Sequence, residues 1–338
     1  MEIGIGTLGD LPQDQGHGDA GDRLAQIIRE AEAAEAAGLD VVSVGEHHSP
    51  DFAVSSPAVV LSAIAARTDR LRLTSGVTVL GVHDPVRVLQ DFATVDLISG
   101  GRAEITVGRS AFTEPFALFG YDLEDYDDLF RERLDLLLRL RDEPEVRWRG
   151  RYRAALPGIP VPPRPTPSGL PIWLGVGGSP RSAERAGGLG LPMIVGYLGG
   201  PPHQPAAMAE IYREAGARAG NAAELRLGIA VHLLITDDEK EARDAYPHYR
   251  EFLRPKRPGG SGYLVSPQAY AEGRGRDGAL LIGTVDQVAG KLVRLHEITR
   301  FDRLQVLTDW GGLPDDQVLT SITRLGKEIA PLLRDRVS

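Results

Sequence analysis

The sequence predicts an α/β protein, a (β/α)8 TIM barrel with insertions, and three observations lead there. Short β-like runs alternate with amphipathic helical runs along the chain, about eight times, which implies a parallel sheet. Eight such units suit a closed barrel better than an open sheet. The first βα turn, Thr7-Leu8-Gly9-Asp10, lacks the GxGxxG of a dinucleotide-binding sheet. An open doubly wound sheet is the competing architecture.

Taken in order, Ile3–Leu8 reads as a strand, and Asp22–Ala37 as a helix with Leu24, Ile27, Ile28, Ala31 and Ala34 on one face, stopped by Gly38. Leu39–Val44 is a strand; Pro57–Arg67 is a helix with proline at its first position. Leu71–Leu80 is a long strand containing Gly76, and glycine inside a strand marks a bulge or a close backbone approach. Pro85–Ile98 is helical, Ala103–Val107 a strand, Asp127–Arg141 a helix. The Pro-rich stretch 144–171 is too broken for a helix and reads as an insertion. Ile172–Val176 is a strand, Pro180–Ala186 a helix, Met193–Val195 a strand and Gln204–Ala219 a helix. Leu225–Thr236 is a strand and Asp238–Leu253 a helix, followed by an irregular Gly/Pro/Arg-rich insertion, 254–278. Val285–Glu297, Arg303–Thr308 and Asp315–Leu333 complete the pattern as helix, strand and helix. One domain is expected over 1–338.

Composition narrows the function. The 338 residues are 42% hydrophobic and 25% charged, ordinary for a globular enzyme. With 38 basic against 47 acidic residues and no basic block, neither nucleic acid nor a membrane surface is an expected partner. The absence of cysteine excludes disulfides and thiolate chemistry. The N-terminus reads as a strand rather than a signal peptide, and no apolar run reaches membrane-spanning length, so a cytoplasmic protein is expected. Helix 57–67 has almost no polar face, which predicts a homodimer through it and the neighbouring helix 86–98.

Four segments carry candidate chemistry. Val41-Val42-Ser43-Val44 breaks into Gly45-Glu46-His47-His48 at the C-terminal end of a strand, where barrels place their active sites. Consecutive strand side chains face opposite ways, so His47 and His48 do not share one ligand, and no metal site is expected. One imidazole titrating near neutrality is the functional reading. Val176-Gly177-Gly178-Ser179-Pro180 ends a strand in a glycine turn and starts a helix, with Ser179 and Ser182 one turn apart, a place for a phosphate. Arg109, just beyond a strand on the same face, suits a phosphate or carboxylate, or a rim ion pair. Gly76 is the fourth.

Together these pieces resemble the bacterial luciferase-like flavin-dependent oxidoreductases. The ordered matches are Glu46-His47-His48, Leu71–Leu80, Asp84-Pro85-Val86-Arg87, Ser99-Gly100-Gly101-Arg102, Gly108-Arg109-Ser110, Phe119-Gly120, Val176-Gly177-Gly178-Ser179 and Leu191-Pro192-Met193. The resemblance implies a site for FMN, or for the related deazaflavin coenzyme. Arg109, Ser179 and Ser182 match phosphate-binding positions, Val176, Gly177 and Gly178 the backbone cradle, and Gly196 and Tyr197 positions flanking the flavin. Gly76-Val77 matches a pair joined in this family by a non-proline cis peptide beneath the flavin ring. His47 matches the catalytic histidine, Phe112 and the 254–278 lid the substrate pocket. Two departures stand out. A second phosphate arginine of luciferase falls at Asp127, and its reactive cysteine at Gly108.

The implied activity is monooxygenation of a small organic substrate with dioxygen and reduced FMN, through a C4a-peroxyflavin, the flavin coming from a separate reductase. A deazaflavin-dependent dehydrogenase or reductase is the alternative, and a non-catalytic flavin-binding protein or a metal-dependent hydrolase are the other classes.

Overall fold

The structure, a computed structural model, describes residues 1–11, 19–199, 203–255 and 262–337. Eight parallel strands close on themselves: β1 (Glu2–Thr7), β2 (Val41–Val44), β3 (Arg72–Ser75), β4 (Ala103–Gly108), β5 (Ile172–Val176), β6 (Met193–Gly196), β7 (Leu227–Ile235) and β8 (Arg303–Leu307). Neighbours in sequence pair in register, and β8 against β1 completes the ring. The predicted barrel is therefore what the chain forms.

Helix boundaries follow local chemistry. The first helix, Ala20–Ala37, is capped by the Asp19 carboxylate accepting from Gly21 N and ends on Gly38 at φ 84°. The third, Pro85–Ser99, repeats the device with Asp84 and Gly100. Ile27, Ala31 and Ala34 are fully buried, as the apolar spacing requires.

The N-terminal end of the barrel is plugged by charge. Arg303 donates to both oxygens of Glu104, at 2.5 and 3.0 Å, and to Glu2 at 2.8 Å. Its guanidinium lies 4.1 Å from the Trp173 ring centre. A buried arginine with two carboxylates and an aromatic face is fully paired, and it leaves the C-terminal mouth as the open end.

Several elements differ from expectation. The run Leu71–Leu80 is interrupted: β3 stops at Ser75, the Gly76-Val77 peptide is cis, and Thr78–Val79 pairs separately with β4. Insertion 144–171 carries an antiparallel hairpin, Glu145–Trp148 with Leu156–Pro160. The helix expected over Asp238–Leu253 is two, Glu239–Asp244 and Tyr246–Leu253. Pro247 breaks it, since it has no N–H and its ring crowds the carbonyl four residues back. Insertion 254–278 contains a helix, Pro267–Arg274, and a short strand, Leu281–Gly283, follows and pairs with β7. Residues 12–18 and 256–261, in two of the loops expected to shape the pocket, lie outside the described residues. The last helix is divided by a π-turn at Leu325–Ile329.

Helix Pro57–Ala65 buries Leu61 and Ile64 but leaves Val59 69% exposed. On the adjacent helix, Leu97 and Ile98 are about half exposed. The apolar surface that the sequence places here therefore faces outward in the single chain. Among the described residues, no helix is long and apolar enough to cross a membrane.

Candidate active site

Alternation along β2 decides which imidazole enters the mouth. A Cβ on Gly6 or Gly76 would meet Ser43 Oγ at 2.6 or 3.0 Å, so Ser43 points into the barrel. Continuing that alternation puts His47 on the inward side, and Glu46 and His48 on the outward side. His47 is pinned by its own N–H to Val54 O at 2.9 Å. Its ring stacks on Phe52 at 3.9 Å and 14°, and meets Phe112 edge-on at 5.3 Å. Phe52 is itself held by a bridge to Asp10.

Burial pushes the His47 imidazole down to about 4, against smaller raising effects from Glu46 and a hydrogen bond with the Leu8 backbone. The ring is therefore neutral at pH 7. Its Nδ1 is buried with no hydrogen-bond partner. The Leu8 hydrogen bond assigns the proton to Nε2, leaving a bare lone pair on Nδ1.

The outward pair does different work. Glu46 Oε1 accepts from His48 Nε2 and His83 Nε2, each at 2.7 Å, and Oε2 from Val79 N at 3.0 Å. Burial alone would raise the Glu46 carboxyl, but the His48 and His83 hydrogen bonds outweigh it and hold it below the ordinary range. The donor atoms of Glu46, His48 and His83 lie within 4.8 Å of one another, a spacing that a metal ion could use. As they stand, both imidazole N–H groups are satisfied by the carboxylate, and the cluster ties the end of β2 to the segment after β3.

Val77 forms a floor across the mouth. A Cβ on Gly108 would lie 2.5 Å from Val77 Cγ2, and one on Gly175 would lie 2.6 Å from Val77 Cγ1. Both glycines thus exist to seat this side chain. Gly108, at the position of luciferase's cysteine, has a packing reason to be glycine.

The glycine turn after β5 is open. Gly177 and Gly178 have nothing within 4 Å of an added Cβ, and Gly178 has φ 104°. Val176, before the turn, is buried. Ser179 caps helix Pro180–Gly188 without a side-chain capping bond, so its hydroxyl remains available; Ser182 is buried behind it. Arg109 reaches this region, with Nη1 2.5 Å from Asp127 Oδ1 and its guanidinium 5.2 Å from the Tyr126 ring centre. Gly196 is exposed on the mouth, and Tyr197 is buried, its N–H bonded to Ala230 O at 2.8 Å. Phe112 is half-buried beside His47.

Glycine turn, arginine, apolar floor and one neutral imidazole in a barrel mouth define a site for a flat, phosphorylated cofactor and a small substrate. A sequence profile described as luciferase-like monooxygenase matches residues 1–300, and the chain belongs to that family, which makes it an oxidoreductase. It is 26% identical to an N-acetyl-S-alkylcysteine monooxygenase of Bacillus subtilis (strain 168), over 86% of this chain and 88% of that one. Among solved structures it resembles the oxygenating component of 3,6-diketocamphane monooxygenase from Pseudomonas putida in complex with FMN, with TM-score 0.78, 21% identity and 98% of each chain covered. An F420-dependent secondary alcohol dehydrogenase matches equally in shape, with TM-score 0.78, 19% identity and 99% of each chain covered.

Sequence reading missed the Phe52 stack, the use of His83 by Glu46, and the two glycines beneath Val77. Only His83 had a signal, as a spare histidine near a strand end. The others depend on loop and barrel closure, which bring together residues far apart in sequence.

Proposed function

We propose that this chain is a monooxygenase that takes reduced FMN from a separate reductase and uses dioxygen to oxidise a small organic substrate. The observation that carries this reading is the row across the mouth: open Gly177-Gly178 turn and Arg109 at one end, Val77 floor in the middle, His47 Nδ1 at the other. Bound reduced flavin would supply the two electrons that dioxygen activation needs.

The chain's own residues would do the rest. Arg109, the Ser179 and Ser182 hydroxyls and the N–H groups at the helix start would hold the phosphate. Val77 supports the ring; Gly196 and Tyr197 flank it. His47, neutral and with a free lone pair, accepts a proton or hydrogen bond at Nδ1 from the substrate. Phe52 and Phe112 keep that imidazole dry and oriented. The exposed helix faces at Val59, Leu97 and Ile98 support a homodimer.

Oxygen consumption driven by a flavin reductase and a reductant tests the reading. Oxygen use coupled to substrate oxidation supports it. Reduced flavin that only autoxidises, with a deazaflavin coenzyme instead exchanging hydride with substrate, moves the protein to the dehydrogenase reading that the F420-dependent relative favours.

A further inference from the structure

Helix Tyr126–Asp142 places Asp127 in its first turn, against the phosphate end of the site. One carboxylate bridges two guanidinium groups from different elements: Oδ1 takes Arg109 Nη1 at 2.5 Å, and Oδ2 takes Arg181 Nη1 at 3.4 Å. Arg181 sits on the helix that Ser179 begins, one turn before Arg185. The Arg185 guanidinium is pushed below its ordinary value by burial and then by its proximity to Arg109 and Arg181. Three arginines from two elements thus crowd the mouth of the open Gly177-Gly178 turn, with Asp127 between them. That is more positive charge than a surface ion pair needs.

We propose that Asp127 is a built-in counter-anion of the phosphate site, holding Arg109 and Arg181 until a phosphate monoester takes them over, and that Arg181 is that site's second cation. This rests on the flavin reading for the identity of the ligand. Three guanidinium charges and one carboxylate leave two positive charges, and a phosphate monoester brings about −1.5 to −2 at pH 7. Both anions are acceptor-only and compete for the same forks. Asp127 has 42% of its side chain exposed, so it can swing to solvent as the phosphate arrives. The position where the family has an arginine is filled here by an anion, and the missing cation comes from the neighbouring helix. The consequence is a cofactor that is held loosely and exchanged readily, as a flavin shuttling to and from a reductase must be.

Equilibrium titration of oxidised FMN, riboflavin and inorganic phosphate against wild type, Asp127→Asn and Arg181→Gln tests this at low and high salt. Asp127→Asn is expected to bind FMN and phosphate roughly 10-fold more tightly, with riboflavin unchanged. Arg181→Gln is expected to weaken FMN and phosphate several-fold, again sparing riboflavin, and both effects should shrink in 1 M salt. Asp127→Asn that binds phosphate no more tightly than wild type overturns the proposal, as does an Arg181→Gln without effect on phosphate. Failure of the flavin reading looks different: neither FMN nor riboflavin binds any variant, while the phosphate titrations still decide the role of Asp127.

Discussion

Substituting Gly108 by alanine probes the floor of the site directly. The added Cβ would sit 2.5 Å from Val77 Cγ2, 3.0 Å from its Cβ and 3.1 Å from its Cγ1. Carbon atoms are comfortable near 3.5–4.0 Å, so the overlap exceeds an ångström. Neither partner yields easily. Gly108 closes a buried strand, and Val77 is β-branched, stiff at χ1, and blocked on its other side by Gly175. Overpacking of this kind costs about 1–3 kcal/mol. Urea unfolding of Gly108→Ala should show that loss, and FMN affinity should fall with it as the floor shifts. Val77→Ala removes the colliding methyls, so the double variant should recover most of the stability, with a coupling of at least about 1 kcal/mol. A Gly108→Ala protein as stable as wild type, or strictly additive single effects, would refute the packing argument.

Three further outcomes follow from other parts of the molecule. His47→Ala should retain flavin affinity and lose roughly 10²–10⁴-fold in turnover, while wild-type kcat/KM shows no inflection near 6.5 from this residue, because burial holds it near 4; undiminished turnover removes its role. Burial, and then the Asp309 charge, push the Glu30 carboxyl up to about 8, despite its 3.1 Å contact with Arg23. A raised folded-state pKa gives stability that is full below the unfolded value near 4.3 and lost as pH rises through about 8, so wild type should weaken across that window relative to Glu30→Gln, and parallel stability curves would contradict this. Val59→Asp, on the most exposed apolar position of its helix, should leave the fold intact and shift sedimentation from dimer to monomer; a wild type already monomeric at micromolar concentration ends the interface argument.

Much of this was legible in the order of residues. Strand and helix periods carry the barrel because each βα unit announces itself locally, and Gly38, Gly100 and Pro57 mark helix ends by backbone chemistry alone. The His47 and His48 division was readable from strand alternation. What escaped was set by tertiary closure. Pro247 was visible, yet a helical pattern on both sides hid the break. The short strand Leu281–Gly283 exists because the far end of β7 offers it a partner. Arg109 was ambiguous between a ligand and an ion pair. The structure gives it Asp127 as that partner, from a helix that no spacing rule connects to it.

The central claim, that the mouth of this barrel is built for a flavin held by its phosphate, is tested most directly by titrating oxidised and reduced FMN, riboflavin and the deazaflavin coenzyme against the purified protein. The account predicts that reduced FMN binds more tightly than riboflavin, and that Arg109→Ala abolishes the difference. Binding of the deazaflavin alone would contradict the choice of cofactor, and binding of none of them would contradict the claim itself.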